Sequence, residues 1–204
     1  MLLTHTYAVA GTYHVQATVT DLAGRSTAAS ATATVGGKSG SFSFLSDRAV
    51  RNQSDDPEDG SGVYQTDESA ATLSGGGHPA IQIGKAVYAK GFGIQATASL
   101  RSALLFSLDG NYTTFASDIG MDAASSKGSA VEFRVYADDK EIFSTGRMTS
   151  ASGVRSVSLN VAGAKTLELI ILNDGGDSAS NFADWAGAHL ISTVAAAAHD
   201  RNKA

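Results

Sequence analysis

The sequence contains no cysteine, which excludes disulfide bridges, zinc–thiolate sites and a cysteine nucleophile. It has only 2 prolines against 22 glycines, and this balance is typical of a chain with many turns. No apolar run reaches the roughly 18–20 residues that a membrane-spanning helix needs, and the opening "MLL" is too short for the apolar part of a signal peptide. We therefore expect no membrane insertion.

The sequence also lacks clusters of positive charge. Lysine and arginine occur mostly as single residues, and the formal net charge is -5. Proteins that bind nucleic acid usually carry a basic face, so nucleic acid is not expected as a partner. Hydrophobic residues make up 43% of the chain and charged residues 17%, which is apolar enough for a folded core.

The first segment of the chain has the two-residue period of β-strands. In "TYHVQATVTD" the residues Tyr13, Val15, Ala17 and Val19 alternate with polar residues, "DLAGRS" is typical of a turn, and "TAASATATV" follows. About three strands are expected over residues 5–35, too few for a stable unit by themselves. The glycine-rich "GGKSGS" favours a linker. We place a first segment at 1–36, a linker at 37–40, a second domain at 41–194 and a helix-prone or disordered tail at 195–204.

The second domain shows the same alternation and no sustained helical period. "AIQIGKAVYA" predicts a hairpin that turns at Gly84-Lys85, and "VEFRVYADDKEIF" predicts two strands joined at "ADDK". About eight to ten short strands over some 150 residues indicate an all-β fold, an antiparallel β-sandwich or jelly roll.

The stretch "KGFGIQA", residues 90–96, places two glycines around a phenylalanine. A dinucleotide-binding loop needs a third glycine and a following helix, and both are missing, so a phosphate site is not expected. The glycines favour a turn or bulge with positive φ. Such a turn would present Gln95 at its rim as a polar candidate for ligand binding.

No grouping of catalytic side chains is suggested by the sequence. The carboxylates fall mostly in predicted turns, and the five histidines are dispersed, so neither a carboxylate pair nor a nucleophile with a base is indicated. We therefore do not expect this chain to be an enzyme by itself.

The stretch "NDGGDSASNFADWAG", residues 173–187, is rich in oxygen-bearing side chains. Asp174, Asp177, Asn181 and Asp184 could contribute to a calcium site, because calcium prefers oxygen ligands, or could form an ordinary polar turn. Trp185, the only tryptophan, could stack on the apolar face of a sugar or could pack in the core beside Phe182. The sequence leaves both pairs of alternatives open.

Two family resemblances follow from longer motifs. Residues 4–36 carry "HTYAVAGTYHVQATVTDLAG" and resemble the C-terminal half of a PKD domain, so the fold is expected to include part of an immunoglobulin-like PKD β-sandwich. Residues 41–192 resemble the NPCBM family, also called family 51 carbohydrate-binding modules. The motifs that carry this second resemblance are "FLSD", "YAKGFGIQA", "LDGNYTTFASDIGMD", "GSAVEFRVYADDKEIFSTG", "VSLNVAGAKTLELIILNDGGD" and "ADWAGAHL".

The second resemblance implies a function and a site. It implies a galactose-binding-like β-sandwich that binds galactose-containing glycans, appended to a secreted or cell-surface bacterial glycoside hydrolase and contacting neighbouring domains of the same polypeptide. It implies sugar contacts from Gln95, Asn181, Asp184 and Trp185. It also implies a structural calcium, for which Asp174 and Asp177 are the candidates.

The chain departs from the family at three polar positions. Gln95 stands where the family usually has histidine, Asn181-Phe182 where it has an Asp-His pair, and Gly187 where it has aspartate. The alternative function is therefore a structural or protein-interaction sandwich that has lost sugar binding.

Overall fold

The computed structural model describes residues 11–20, 23–35, 40–51, 64–96, 102–176 and 178–193. The chain divides into two compact units, one of Met1–Phe42 with Ser192–Ala204 and one of Ser43–Ile191. In the described part of the chain no helix is long and apolar enough to cross a membrane. The tail at 195–204 and residues 37–39 of the predicted linker at 37–40 lie outside the described residues, and Gly40 already belongs to a strand.

The first unit contains an antiparallel pair of strands. Strand β1 (Gly11–Thr20) pairs with β2 (Ser26–Val35) in unbroken register, from Thr20 opposite Ser26 to Gly11 opposite Val35. Gly24 lies in the turn with φ of +79°. The sequence predicted about three strands in this region, and two lie in its described part. The PKD resemblance stays a prediction.

The second unit is an antiparallel β-sandwich, as the sequence predicts. Its smaller sheet has the order β11-β10-β13-β8, and its larger sheet has the order β12-β9-β14-β7-β4, with β3 also paired to β14. The smaller sheet consists of β8 (Ser102–Ser107), β10 (Ala130–Ala137), β11 (Lys140–Thr149) and β13 (Thr166–Asn173). The larger sheet consists of β3 (Gly40–Phe44), β4 (Tyr64–Thr66), β7 (Gly91–Gln95), β9 (Thr114–Met121), β12 (Arg155–Asn160) and β14 (Phe182–Thr193).

The core lies between the two sheets and consists mainly of alternate residues along the strands, the residues whose side chains point inward. On β10, Val131, Phe133 and Val135 are fully buried, whereas Glu132 and the other intervening residues face outward. Trp185 of β14 meets the ring of Phe133 edge-on across the sandwich, with ring centroids 5.0 Å apart. Burial of a large apolar side chain contributes about 1.5–3 kcal/mol to stability, so this inter-sheet layer holds the domain together.

A small hairpin covers part of the outer face of the larger sheet. Strands β5 (Ile81–Ile83) and β6 (Ala86–Tyr88) turn at Gly84-Lys85, as predicted, and Gly84 has φ of +60°. Ile81 and Ile83 form a second buried cluster with Ala186 of β14. The middle of the larger sheet is therefore buried on both faces. The described residues of this domain form twelve strands, β3 to β14, where the sequence predicted about eight to ten.

The glycines of "KGFGIQA" lie within strand β7, which corrects the predicted turn. Gly91 has φ of +140°, but Gly93 does not have a positive φ. Gly93 is required by close approach instead, because a Cβ there would lie 2.5 Å from the carbonyl oxygen of Glu68 and 2.6 Å from the amide nitrogen of Ala70. The glycine makes room for the chain that crosses the sheet.

Candidate functional site

The candidate site residues converge at one end of the sandwich, which we call the Gln95 end. It comprises the end of β7 at Gln95, the β9–β10 connection at 122–129 and the described part of the β13–β14 connection at 174–181. The Asn173 side chain of β13 donates to the carbonyl of Ala96 (3.4 Å), which ties the two sheets together at this end. Because neighbouring strands are antiparallel, all three segments lie at the same end of the sandwich.

Gln95 and Phe182 lie directly opposite each other on β7 and β14. The adjoining pair is hydrogen-bonded, because the amide of Ala96 donates to the carbonyl of Asn181 (2.8 Å). Gln95 and Phe182 therefore form a non-hydrogen-bonded pair, the kind in which facing side chains come closest. Both side chains are partly buried, and the Gln95 amide donates to the carbonyl of Ala179 (3.3 Å).

Phe182 is fixed on its other side by the β9–β10 connection. Its amide donates to Ser125 Oγ (3.0 Å), the Ser125 hydroxyl donates to its carbonyl (2.6 Å), and the amide of Asp122 donates to the same carbonyl (3.1 Å). A planar amide and an aromatic ring are thus held side by side. One of the two alternatives for Trp185 packed it in the core beside Phe182, but period two puts residues 182 and 185 on opposite faces of β14.

Asn181 is fully buried and joins the two sheets. Its side-chain amide donates to the carbonyl of Ala130 at the start of β10 (3.0 Å) and to that of Gly175 after β13 (3.2 Å). Each of these carbonyls also accepts a backbone hydrogen bond, that of Ala130 from the amide of Asp174 (2.9 Å) and that of Gly175 from the amide of Ala130 (3.0 Å), so Asn181 adds a second donor to both.

Trp185 is fully buried in the core. It contacts Phe133 and also Phe115, whose ring centroid is 6.1 Å away. Its neighbours in the core are therefore these two rings rather than Phe182. Of the two alternatives for Trp185, stacking on a sugar or packing in the core, the structure shows packing in the core.

Asp184 is fully buried on the opposite face of β14, between two glycines. It lies opposite Gly93 of β7 and Gly120 of β9. A Cβ on Gly120 would lie 2.5 Å from Cγ2 of Ile83, so neither neighbour has room for a side chain. The paired glycines let the 68–70 segment and the β5–β6 hairpin approach the sheet and bury the carboxyl group.

Asp184 faces the carboxyl group of Asp122, the first residue after β9. Both oxygens of Asp184, and Oδ2 of Asp122, have no hydrogen-bond partner among the described residues. Burial raises the pKa of Asp184 well above its ordinary value, and the charge of Asp122 raises that pKa further. A protonated Asp184 can donate a hydrogen bond to Asp122, and the pair then carries one negative charge instead of two.

A sugar on the surface of this domain could touch only one of the four predicted sugar-contacting residues. Gln95 has exposed surface, whereas Asn181, Asp184 and Trp185 are 0% exposed. The three buried residues shape the Gln95 end from within. The direct pairing of Gln95 with Phe182 depends on strand register between positions 87 residues apart, and no local pattern reveals it.

The predicted calcium ligands are described only in part. The exposed carboxylate of Asp174 lies 3.4 Å from Arg147, whose guanidinium also donates to the Asp174 carbonyl, and Asp177 lies outside the described residues. Within the described ranges, no three histidine, aspartate or glutamate side chains form a group that could hold a metal ion. A cation at Asp174 would compete with Arg147, and the calcium site stays a prediction.

Comparison with known proteins gives consistent results. The family model described as the NPCBM/NEW2 domain matches residues 41–191. A Renibacterium salmoninarum protein named "Putative endo-alpha-N-acetylgalactosaminidase" is 26% identical over 136 residues, which are 66% of this chain but 9% of that protein. This chain thus spans a small part of its curated relative.

Two solved structures are similar in fold. One is CBM51 from Clostridium perfringens GH95 in complex with methyl-galactose, with a TM-score of 0.60 and 26% identity, covering 74% of this chain and 99% of that one. The other contains CBM51-2 in complex with GlcNAc and INT domains from Clostridium perfringens ZmpB, with a TM-score of 0.63 and 22% identity, covering 92% and 39%.

Proposed function

Because residues 41–191 belong to the NPCBM/NEW2 domain family, we propose that this domain is a non-catalytic module that binds galactose-containing glycans at its Gln95 end. The observation that carries the proposal is the cross-strand pair of Gln95 and Phe182. An aromatic ring packs against the apolar face of a sugar ring, and a planar amide hydrogen-bonds to its hydroxyl groups. The methyl-galactose in a similar, almost fully aligned structure supports galactose as the first sugar to test.

The module would act by anchoring a catalytic domain of the same polypeptide. Binding to a glycan raises the local concentration of a linked enzyme at its substrate without contributing chemistry. The name of the curated relative supports a glycoside hydrolase as the full-length protein, and we propose that this protein is secreted or carried on the bacterial cell surface. Sugar release from a glycan by the isolated chain would contradict the non-catalytic part of this proposal.

The test is calorimetric titration of the chain with methyl-galactose, followed by Gln95→Ala. We expect measurable binding by the native chain and about a tenfold loss on removing the amide, the effect of one or two hydrogen bonds. Gln82→Ala is the matched control, because Gln82 lies in the outer hairpin and its amide donates to the carbonyl of Gly84. The affinity of the Gln82→Ala variant for methyl-galactose should equal that of the native chain.

The alternative is a sandwich that has lost its sugar site and serves as an interaction module. It predicts a folded chain that binds no glycan on an array. Binding that Gln95→Ala leaves unchanged would instead locate sugar recognition elsewhere on the domain and overturn the proposed site.

A further inference from the structure

A cleft of about 350 Å³ lies at the end of the sandwich opposite to Gln95. Its lining residues are Arg48, Ala49, Arg51 and Ser107. Ser107 ends strand β8, whose other end lies at the Gln95 end, where the Ser102 hydroxyl donates to the carbonyl of Gln95. The cleft is therefore separated from the proposed galactose site by the length of a strand.

Arg48 is held in a fixed position beside this cleft. Its guanidinium donates to Tyr112 Oη (2.6 Å) and to the carbonyl of Ser107 (2.8 Å), and it lies 5.1 Å from the centroid of the Tyr112 ring. A guanidinium has five N–H donors, so these two hydrogen bonds leave three. Stacking on a tyrosine ring and hydrogen bonding to a strand carbonyl preorganise the group for a ligand.

Arg51 brings a second guanidinium to the same residue. Its backbone amide donates to the carbonyl of Leu105 (2.8 Å), and its side chain donates to Ser107 Oγ (3.2 Å). Arg48 and Arg51 thus contact the carbonyl and the hydroxyl of one serine.

The described residues provide no carboxylate partner for either arginine. Elsewhere Arg134 pairs with Glu132 and Arg147 with Asp174. The carboxylate of Asp47, which is close in sequence to Arg48, lies 2.5 Å from Lys90. Glu168 of β13 is opposite Leu105 of β8, so strand β8 lies between it and Arg51. Two adjacent positive charges repel each other, and a bound anion would remove that repulsion.

We propose that Arg48 and Arg51 bind an oxyanion, the sulfate ester or carboxylate of an acidic glycan, at a second site. Guanidinium groups match sulfate and carboxylate oxygens with paired charge-assisted hydrogen bonds. The anion site depends only on the residues that line the cleft, whereas the choice of a glycan as the source of the anion rests on the proposed function. With both sites occupied, the domain binds one long glycan chain, or two separate chains, at its two opposite ends.

The test compares galactose, galactose 6-sulfate and galacturonic acid in calorimetric titrations of the full chain at fixed ionic strength. We expect at least one acidic sugar to show a gain of one bound molecule per chain over galactose, because a monosaccharide cannot span the two ends of the domain and the acidic group alone is recognised at the arginine cleft. A gain with only the sulfated or only the carboxylated sugar supports the site and identifies its anion. The same number of bound molecules for all three sugars would overturn the glycan assignment.

Arg51→Gln should abolish the gain, since it removes the charge but keeps an amide that can reach Ser107. Arg155→Gln is the matched control, because Arg155 is an exposed arginine that stacks on Phe143 at 5.1 Å. A gain that survives Arg51→Gln, or that Arg155→Gln abolishes equally, would overturn the proposal. Both variants should keep the melting temperature of the native chain.

The two proposals fail in different ways. If galactose does not bind at all, sodium sulfate should still shift the side-chain Nε–H signals of Arg48 and Arg51 in NMR spectra. Unchanged signals at a sulfate concentration of tens of millimolar would refute the anion site itself. Conversely, Arg51→Gln should leave the affinity for neutral methyl-galactose unchanged.

Discussion

Gln95 and Phe182 lie opposite each other as a non-hydrogen-bonded pair on β7 and β14. Both are positions at which the resemblance to the NPCBM family leads us to expect a histidine, and this sequence has an amide at one and a phenyl ring at the other. The two departures are therefore direct neighbours. A change at one position alters the surroundings of the other, and the two residues form one surface.

A double-mutant cycle tests this surface. Because the side chains are neighbours, Gln95→Ala and Phe182→Ala should have non-additive effects on the free energy of methyl-galactose binding, with a coupling of about 0.5–3 kcal/mol. Calorimetric titration of the two single variants and the double variant measures the coupling. The same cycle with Gln82→Ala in place of Gln95→Ala should be additive within about 0.5 kcal/mol. Additive effects in the first cycle would contradict a shared site.

The buried pair of Asp122 and Asp184 predicts a pH dependence of stability. The pKa of Asp184 is raised in the folded state, so between its unfolded value near 3.8 and its folded value the native state holds more protons than the unfolded state. The contribution of Asp184 to the free energy of unfolding is therefore fully present below the lower value and is lost as pH rises through the higher one.

Asp184→Asn should remove this dependence. The amide can donate to Oδ2 of Asp122 at any pH, and it relieves a buried like-charge contact. We expect the free energy of unfolding at pH 8 to rise by about 1–3 kcal/mol, measured by urea denaturation across pH 4–9. The native chain and the variant should differ most at high pH. A parallel pH profile for the two would show that the pKa of Asp184 is not raised in the folded state.

Gly93→Ala should destabilise the domain. The added Cβ meets backbone atoms of Glu68, Ser69 and Ala70, all between 2.5 and 2.6 Å away, and backbone cannot move aside as a side chain can. Overpacking of this kind costs about 1–3 kcal/mol, which denaturant titration resolves. Gly75→Ala is the control, because nothing lies within 4 Å of its added Cβ and its φ is not positive. Equal stability of the two variants would refute the close approach.

The predicted calcium site is tested by chelation. If a calcium ion bound by Asp174 and Asp177 stabilises the native state, EDTA should lower the melting temperature by about 3 °C for each kcal/mol of binding free energy, and added calcium should restore it. Asp177→Asn should abolish this response, whereas Asp139→Asn, in the exposed β10–β11 turn, should keep it. An unchanged melting temperature in EDTA would contradict the prediction that a structural calcium ion stabilises this domain.

Local patterns predict the strands of this fold well and its sites poorly. The alternation of Val131, Phe133 and Val135 and the turn at Gly84-Lys85 depend only on nearby residues, and both are confirmed. The strand role of Gly93 depends on a distant segment that crosses it, so the sequence suggested a turn. Arg48 and Tyr112 are 64 positions apart, and only the fold brings their side chains together.

Asp184 and Trp185 illustrate the difficulty for the candidate site. In a sheet with one exposed face, alternation would place one of two consecutive residues in solvent. Here the 68–70 segment and the β5–β6 hairpin cover the second face, so both residues are buried. A polar residue beside a tryptophan then has the sequence pattern of a sugar site while lying in the interior.

Strand β14 is the last strand of the described residues, yet it lies between β9 and β7 and also pairs with β3. During synthesis, its neighbours leave the ribosome first, and the main-chain groups that will face β14 have no strand to pair with. Such open strand edges are templates for pairing with other chains. A nascent chain that pauses before residue 182 thus presents two unfinished edges, and the larger sheet closes only when translation has passed the end of this strand.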